Sequence, residues 1–145
     1  MTLQNLIGIS LEVVSASREQ AARLLAAAQR NLTDASLTDL SSENQFDAAY
    51  KAIMQMAMLG LLANGYRTLT SRPGHHQTAI QSLPETIGLP TERMIVLDML
   101  RKQRNLSDYS GDLVPESAVR ECKACAVALL ADMRAWLAAN RPELL

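Results

Sequence analysis

A long apolar stretch near the middle of the chain limits the folds that are open to it. Residues 48–62 are apolar on nearly every side of a helix. A helix that is hydrophobic all round is buried among other elements or spans a membrane. The longest apolar run, residues 52–63, falls well short of the ~20 residues that cross a bilayer. The stretch therefore predicts a central buried helix that begins after Ser42 and ends at Asn64.

Four other segments have the spacing of amphipathic helices. They are predicted at residues 18–40, with Ser17 as the N-cap, and at residues 75–83, 91–109 and 115–140. Alanine, leucine and methionine predominate and aromatic residues make up only 3%, which is typical of helical proteins. No strand pattern competes with these helices. We therefore expect an all-α protein, an up-and-down antiparallel bundle of four or five helices.

The length of the chain, 145 residues, suits a single domain with a sizeable core, residues 1–145. Its apolar beginning, residues 3–14, is interpreted as a short helix that lies on the bundle or on a partner. Residues 1–16 would then form an N-terminal extension. No basic segment precedes these apolar residues, as it would in a signal peptide. We expect a soluble, cytoplasmic protein that makes no contact with a membrane.

The end of the fourth predicted helix carries a cluster of polar groups. Arg101, Arg104, Asn105, Asp108 and Tyr109 supply two guanidinium groups, a carboxamide, a carboxylate and a phenol. Groups of this kind bind and polarise phosphates. In an unbroken helix, however, Arg104 points about 140° away from Tyr109. Their convergence requires either a helix end within the cluster or a second copy of the segment, brought in by a twofold partner.

The same cluster also has an ordinary interpretation. Arg101, Lys102 and Arg104 could be cations in the last turn of a helix, where each stabilises the negative end of the dipole by about 0.3–1 kcal/mol. Arg104 and Asp108 are four residues apart, which suits a surface ion pair worth about 0.3–0.5 kcal/mol. The sequence by itself supports both interpretations.

Charge and cysteine content argue against several classes of function. The net charge of −1 gives no basic field of the kind used to grip duplex nucleic acid. Cys122 and Cys125 lie on one helix face without a second cysteine pair, so we interpret them as small buried thiols. His75 and His76 are adjacent and cannot both bind a metal from one helix face. We expect His76 to pack inward and His75 to face outward, and we predict no metal or cofactor.

Four short segments, in their order and spacing, resemble a known family. They are an alanine-rich stretch with a tyrosine at residues 48–52, Gly-Tyr-Arg at residues 65–67, Gly-His-His at residues 74–76 and a basic segment at residues 100–105. Together they resemble the HEPN domain family over most of the chain, residues 17–136. The resemblance implies an up-and-down helical bundle that is usually dimeric.

Many HEPN proteins are metal-independent endoribonucleases, and others partner minimal nucleotidyltransferases as toxins. The resemblance places the arginine of the family's site at Arg104 and the polar residue that follows it at Asn105. Tyr109 stands where the family has a histidine. A phenol with a pKa of about 10 can donate a hydrogen bond but is a poor base near neutral pH. His75 or His76 could substitute only if the third helix lies beside Arg104.

The resemblance and the residues together predict a HEPN-like protein that binds RNA or a nucleotide at a dimer cleft. Its active form would be a metal-independent endoribonuclease of the toxin or defence type. The expected site has Arg104, Asn105 and Tyr109 as catalytic residues, with Arg101, Asp108 and His75 binding the substrate. One alternative is a non-catalytic helper subunit that dimerises and partners a nucleotidyltransferase or another protein. Another is a dimeric bundle that holds a small apolar ligand in its methionine-rich interior.

Overall fold

The structure, a computed structural model that describes residues 2–145, is mostly helical, as the sequence predicts. A pair of three-residue strands and two 3-10 turns, Leu3–Leu6 and Pro142–Leu144, accompany the helices. The strands are β1 (Leu11–Val13) and β2 (Tyr66–Thr68). The helices are α1 (Arg18–Ala35), α2 (Ser42–Ala63), α3 (His75–Gln81), α4 (Leu83–Ile87), α5 (Thr91–Ser110) and α6 (Glu116–Asn140).

Helix α2 is the buried centre of the bundle, which confirms the prediction from its apolar run. Its most extensive packing is against α1 and α6. Phe46, Ile53 and Leu59 have no solvent-exposed surface. Each such side chain contributes about 1.5–3 kcal/mol through burial. Within residues 2–145, no helix is long and apolar enough to cross a membrane.

The helix that covers α2 on one side, α6, buries the apolar stripe that its sequence predicts. The stripe recurs every three or four residues, so it forms one face of the helix. Its buried members are Val119, Cys122, Ala126, Leu129, Leu130, Met133 and Leu137.

Helix α1 begins where it is predicted to begin but ends earlier. The Ser17 hydroxyl accepts a hydrogen bond from the Gln20 amide, and the Gln20 side chain accepts one from the Ser17 amide, which together form a capping box. The helix was expected to reach residue 40, but it stops at Ala35. The Ser36 amide donates to the Thr33 carbonyl, three residues back, in a tightened final turn. The turn that follows leads to Ser41, the N-cap of α2.

The third predicted helix is divided in two, so a short helix, α4, was missed. Helix α3 ends at Gln81, with Ser82 as its C-cap, and Pro84 lies in the first turn of α4, where its missing N–H is not needed. Helix α4 packs closely against α2 at Gly60. A Cβ atom at Gly60 would lie 2.9 Å from the Thr86 hydroxyl oxygen, so glycine permits this approach. The Asn64 side chain also donates to the Thr86 carbonyl.

The prediction of a helix in residues 3–14 and of no strand anywhere is wrong. After the Leu3–Leu6 turn, Gly8 adopts a φ of 81°, and β1 then pairs antiparallel with β2. Leu11 is fully buried, and Glu12 forms an ion pair with Arg67 across the two strands. The segment is rich in β-branched residues, which favour strands. A three-residue strand is too short for its alternating pattern to be recognised in the sequence.

Candidate functional site

The polar cluster on α5 lines an open cavity of about 500 Å³ between α3 and α5, called here the first cavity. Helix α3 lies directly beside α5, which is the condition under which its histidines could join the site. All six residues predicted for the site line this cavity. The lining residues are Gly74, His75, His76, Gln77, Arg101, Arg104, Asn105, Asp108 and Tyr109.

Arg104 is held in place by its neighbours but lacks a hydrogen bond at one nitrogen. Its guanidinium carbon lies 5.0 Å from the ring centroid of Tyr50, in a cation–π contact. The carboxylates of Asp47 and Asp108 lie 3.8 and 3.9 Å from its Nε atom. Those distances are too long for N–H···O hydrogen bonds. The Nε atom is buried and has no hydrogen-bond partner in the structure. It is therefore a donor without an acceptor, in a side chain that lines the first cavity.

Arg101, in contrast, is already paired. Its Nε donates to Asp98 Oδ1 over 2.7 Å, and both side chains are mostly buried. Burial by itself would raise the pKa of Asp98, but the hydrogen bond and charge of Arg101 outweigh it and hold that pKa below its usual value. Lys102 lies 3.7 Å from the other oxygen of Asp98. Arg101 can therefore add positive potential to the cavity, but it is less available than Arg104 to grip a phosphate.

Helix α5 continues through the cluster without a break. It ends at Ser110, with Gly111 in the left-handed conformation at a φ of 72°. The alternative in which a helix end within the cluster brings Arg104 and Tyr109 together is therefore wrong. The interpretation that Arg104 stabilises the last turn is also wrong, because that turn has no basic residue. Tyr109 is 92% exposed at the outer edge of the cavity, as expected of a group that faces a partner or solvent.

The structure adds Tyr50 and Asp47, which lie against Arg104 and were not predicted, and it places His76, predicted only as a possible substitute for the missing histidine, in the lining of the cavity. The Tyr50 hydroxyl lies 3.4 Å from His76 Nδ1, a long contact whose donor depends on the histidine tautomer. A signal for Tyr50 was present in the sequence, because a phenol in a buried helix needs a polar partner. Both histidines are half-buried, and both line the first cavity.

The two rings of this contact differ in their readiness to exchange a proton near neutral pH. Burial raises the pKa of Tyr50 to about 12, so the phenol keeps its proton. Burial, followed by the charges of His75, Arg104 and Arg101, lowers the pKa of His76. A neutral imidazole has one nitrogen that can accept a proton. His76 is therefore better suited than Tyr109 to act as a base beside Arg104.

The lowered pKa of His76 predicts how stability depends on pH. Below the ordinary pKa of 6.5, the unfolded chain binds a proton that the folded chain resists. The free energy of unfolding that the neutral His76 ring contributes is therefore fully present above pH 6.5. It is lost as the pH falls through the lower pKa of His76 in the folded protein. We expect Tm to fall less between about pH 7 and pH 5 in the His76→Gln variant than in the parent. Equal decreases in Tm would show that another group is responsible.

The two cysteines lie away from this site and differ in burial. Cys122 is fully buried, as predicted, but Cys125 is only partly buried. Burial raises the pKa of Cys122 to about 12 and also raises that of Cys125, so neither thiol is activated. Among residues 2–145 there is no group of three or more His, Cys, Asp or Glu side chains that could hold a metal.

Comparisons with known proteins give no relative from which a role for this cavity could be transferred. The chain matches no protein-family model, and no curated protein or solved structure shows significant similarity to it.

Proposed function

We propose that the chain is a HEPN-like up-and-down bundle that binds a phosphate group of RNA or of a nucleotide in the first cavity. One observation carries the proposal, namely that the buried Nε of Arg104 has no hydrogen-bond partner, in a side chain that lines a cavity together with Arg101, two histidines and Asp108. A buried donor without a partner costs about 1–3 kcal/mol. A phosphate oxygen would satisfy it with a charge-assisted hydrogen bond. Arg101, Asn105 and His75 line the same cavity and would surround that phosphate.

The same arrangement supports metal-independent cleavage of RNA. In that reaction the 2′-oxygen attacks the adjacent phosphorus, a cyclic phosphate forms, and the 5′-oxygen of the next nucleotide leaves. A base must take the proton of the 2′-hydroxyl, and an acid must give one to the leaving oxygen. We assign the base to His76, because it lines the first cavity together with Arg104 and because burial lowers its pKa, which favours the neutral ring. Tyr109 remains a proton donor in this scheme.

We also propose that the functional unit is a homodimer formed through α5. Ile95, Met99, Leu106 and Tyr109 are between 51% and 92% exposed. Their spacing places them within an arc of about 80° on one side of the helix. Their intervals of four, seven and three match the four-and-three spacing of a seam along which two helices pack, except that Lys102 takes the middle position. Tyr109 belongs both to this stripe and to the lining of the first cavity, so a second α5 packed on the stripe would lie at the edge of that cavity.

A non-catalytic helper subunit is the second candidate. Arg104 already contacts Tyr50 and lies near Asp47 and Asp108, so the cluster can be explained as a structural network. The net charge of −1 adds no general attraction for nucleic acid. In this role the dimer would partner a nucleotidyltransferase or another protein.

The proposal is tested by calorimetric titration of the protein with AMP and, separately, with adenosine. AMP should bind and adenosine should bind at least tenfold more weakly, because the phosphate supplies the acceptor for Arg104. A single-stranded RNA should then be cleaved in the presence of EDTA, and the His76→Ala variant should lose that cleavage. If neither AMP nor RNA binds, the helper-subunit interpretation replaces this proposal.

A further inference from the structure

Two further cavities continue from the first in a row across the surface. The second cavity, about 420 Å³, lies over α2 and shares His76 and Arg104 with the first. The third cavity, about 360 Å³, lies between α1 and α2 and shares Gln55 with the second. The three cavities are therefore neighbours with shared lining residues, and they run from α5 and α3 across the middle of α2 to α1.

The second cavity has a largely apolar lining. Leu24, Met54 and Met58 contribute to it, beside the phenol of Tyr50. Methionine side chains adapt to flat and irregular partners, and they make favourable contacts with aromatic rings. Asp47, Lys51 and Gln55 also line it and supply polar groups that could form hydrogen bonds. An apolar cavity with a few polar groups, adjoining a phosphate site, has the chemistry of a pocket for a nucleobase.

The third cavity is polar and contains a free cation. Arg30 is exposed and forms no ion pair with any other described residue. Asn31 donates to Gln55 Oε1 over 2.8 Å, which fixes the two side chains where the second and third cavities meet. Asp34 also lines this cavity and reduces its positive potential. Arg30 is therefore a candidate ligand for one phosphate and not for a long anionic chain.

We propose that the three cavities form a track for single-stranded RNA that holds a phosphate, a base and the next phosphate in turn. The first phosphate lies at Arg104, its base occupies the second cavity, and the following phosphodiester lies at Arg30. This inference rests on the proposed function, because it takes the phosphate at Arg104 as its starting point. It specifies a chain of at least two nucleotides, rather than a mononucleotide, as the preferred ligand. It also assigns to α1 a role in binding.

The experiment compares AMP with the dinucleotide pApA, in a 2′-O-methyl form that cannot be cleaved by 2′-hydroxyl attack. The parent should bind pApA more tightly than AMP. Arg30→Glu should lower the affinity for pApA by about fivefold, as expected for the loss of one exposed charge pair, and leave the affinity for AMP nearly unchanged. Arg134→Glu is the matched control, since Arg134 is an exposed arginine on α6 that lines none of the three cavities.

The dependence on salt gives a second measurement. For single strands the logarithm of affinity falls with the logarithm of salt concentration by about 0.7 for each phosphate neutralised. The slope for pApA should therefore exceed that for AMP by about this amount in the parent, and Arg30→Glu should remove the difference. If AMP binds but pApA binds no better, or if Arg30→Glu behaves like Arg134→Glu, the track is wrong and the phosphate site stands. If neither ligand binds the parent, both proposals fail.

Discussion

Replacing Arg104 with alanine is expected to weaken the binding of AMP at least tenfold while leaving the fold intact. Its Nε is the buried donor that lacks an acceptor, so the phosphate loses a charge-assisted hydrogen bond worth about 1.5–3 kcal/mol. Each 1.4 kcal/mol corresponds to about a tenfold change in affinity. The change also removes the cation–π contact with Tyr50, and we expect that loss to lower Tm only slightly.

Two further variants sharpen this result. Arg104→Lys should restore little of the affinity, because an ammonium group cannot reproduce the planar fork of donors. Arg134→Ala on α6 removes an exposed arginine distant from the cavity and should leave AMP binding unchanged. A different outcome would indicate that the contacts of Arg104 with Tyr50, Asp47 and Asp108 serve only to stabilise the fold. In that case Arg104→Ala would lower Tm by several degrees, and the parent would bind neither AMP nor RNA.

Replacing Leu106 with glutamate is expected to convert the proposed dimer to a monomer at micromolar concentration. Twofold symmetry places two copies of Leu106 in the interface. Each loses about 1.5–3 kcal/mol of apolar burial, and each adds a charge that must be desolvated. Light scattering should change from twice the 15.9 kDa mass of the chain to the mass of one chain.

The matched control for this change is Val127→Glu. Val127 on α6 is 59% exposed, and Leu106 is 60% exposed, so the two substitutions differ in position and not in accessibility. Val127→Glu should leave the dimer intact. A parent protein that is already a monomer, or equal dissociation in both variants, would contradict an interface through α5. AMP should still bind to the Leu106→Glu monomer, because Arg104 and the cavity that contains it belong to one chain.

The sequence predicted the long helices because their patterns extend over many turns. The apolar run of α2 and the stripe of α6 each involve many buried residues, so no single exception obscures the period. The strands β1 and β2 have three residues each and leave no comparable pattern. Their pairing joins residues that are distant in sequence, such as Glu12 and Arg67. Helix α4 has only five residues, and the proline in its first turn, Pro84, predicts the end of a helix rather than its beginning.

The site could be predicted only where its residues are close in sequence. Arg101, Arg104 and Asp108 lie within one helix, and helical geometry alone brings them near one another. Tyr50 and His76 join them from two other elements, and only the packing of α3 and α5 against α2 places them there. His76 could substitute for the missing histidine only if α3 lay beside Arg104. The sequence alone does not show that α3 does so.

The most direct test of phosphate binding at Arg104 is the NMR signal of its own side-chain Nε–Hε group. That group is buried and has no acceptor in the structure, so its proton should respond strongly when an acceptor arrives. On titration with AMP, we expect the Arg104 Hε signal to move downfield and to become protected from exchange with water, since it enters a charge-assisted hydrogen bond. The Hε signal of Arg134, exposed on α6, should not move. Saturable binding of AMP with no larger shift at Arg104 than at Arg134 would contradict the central claim.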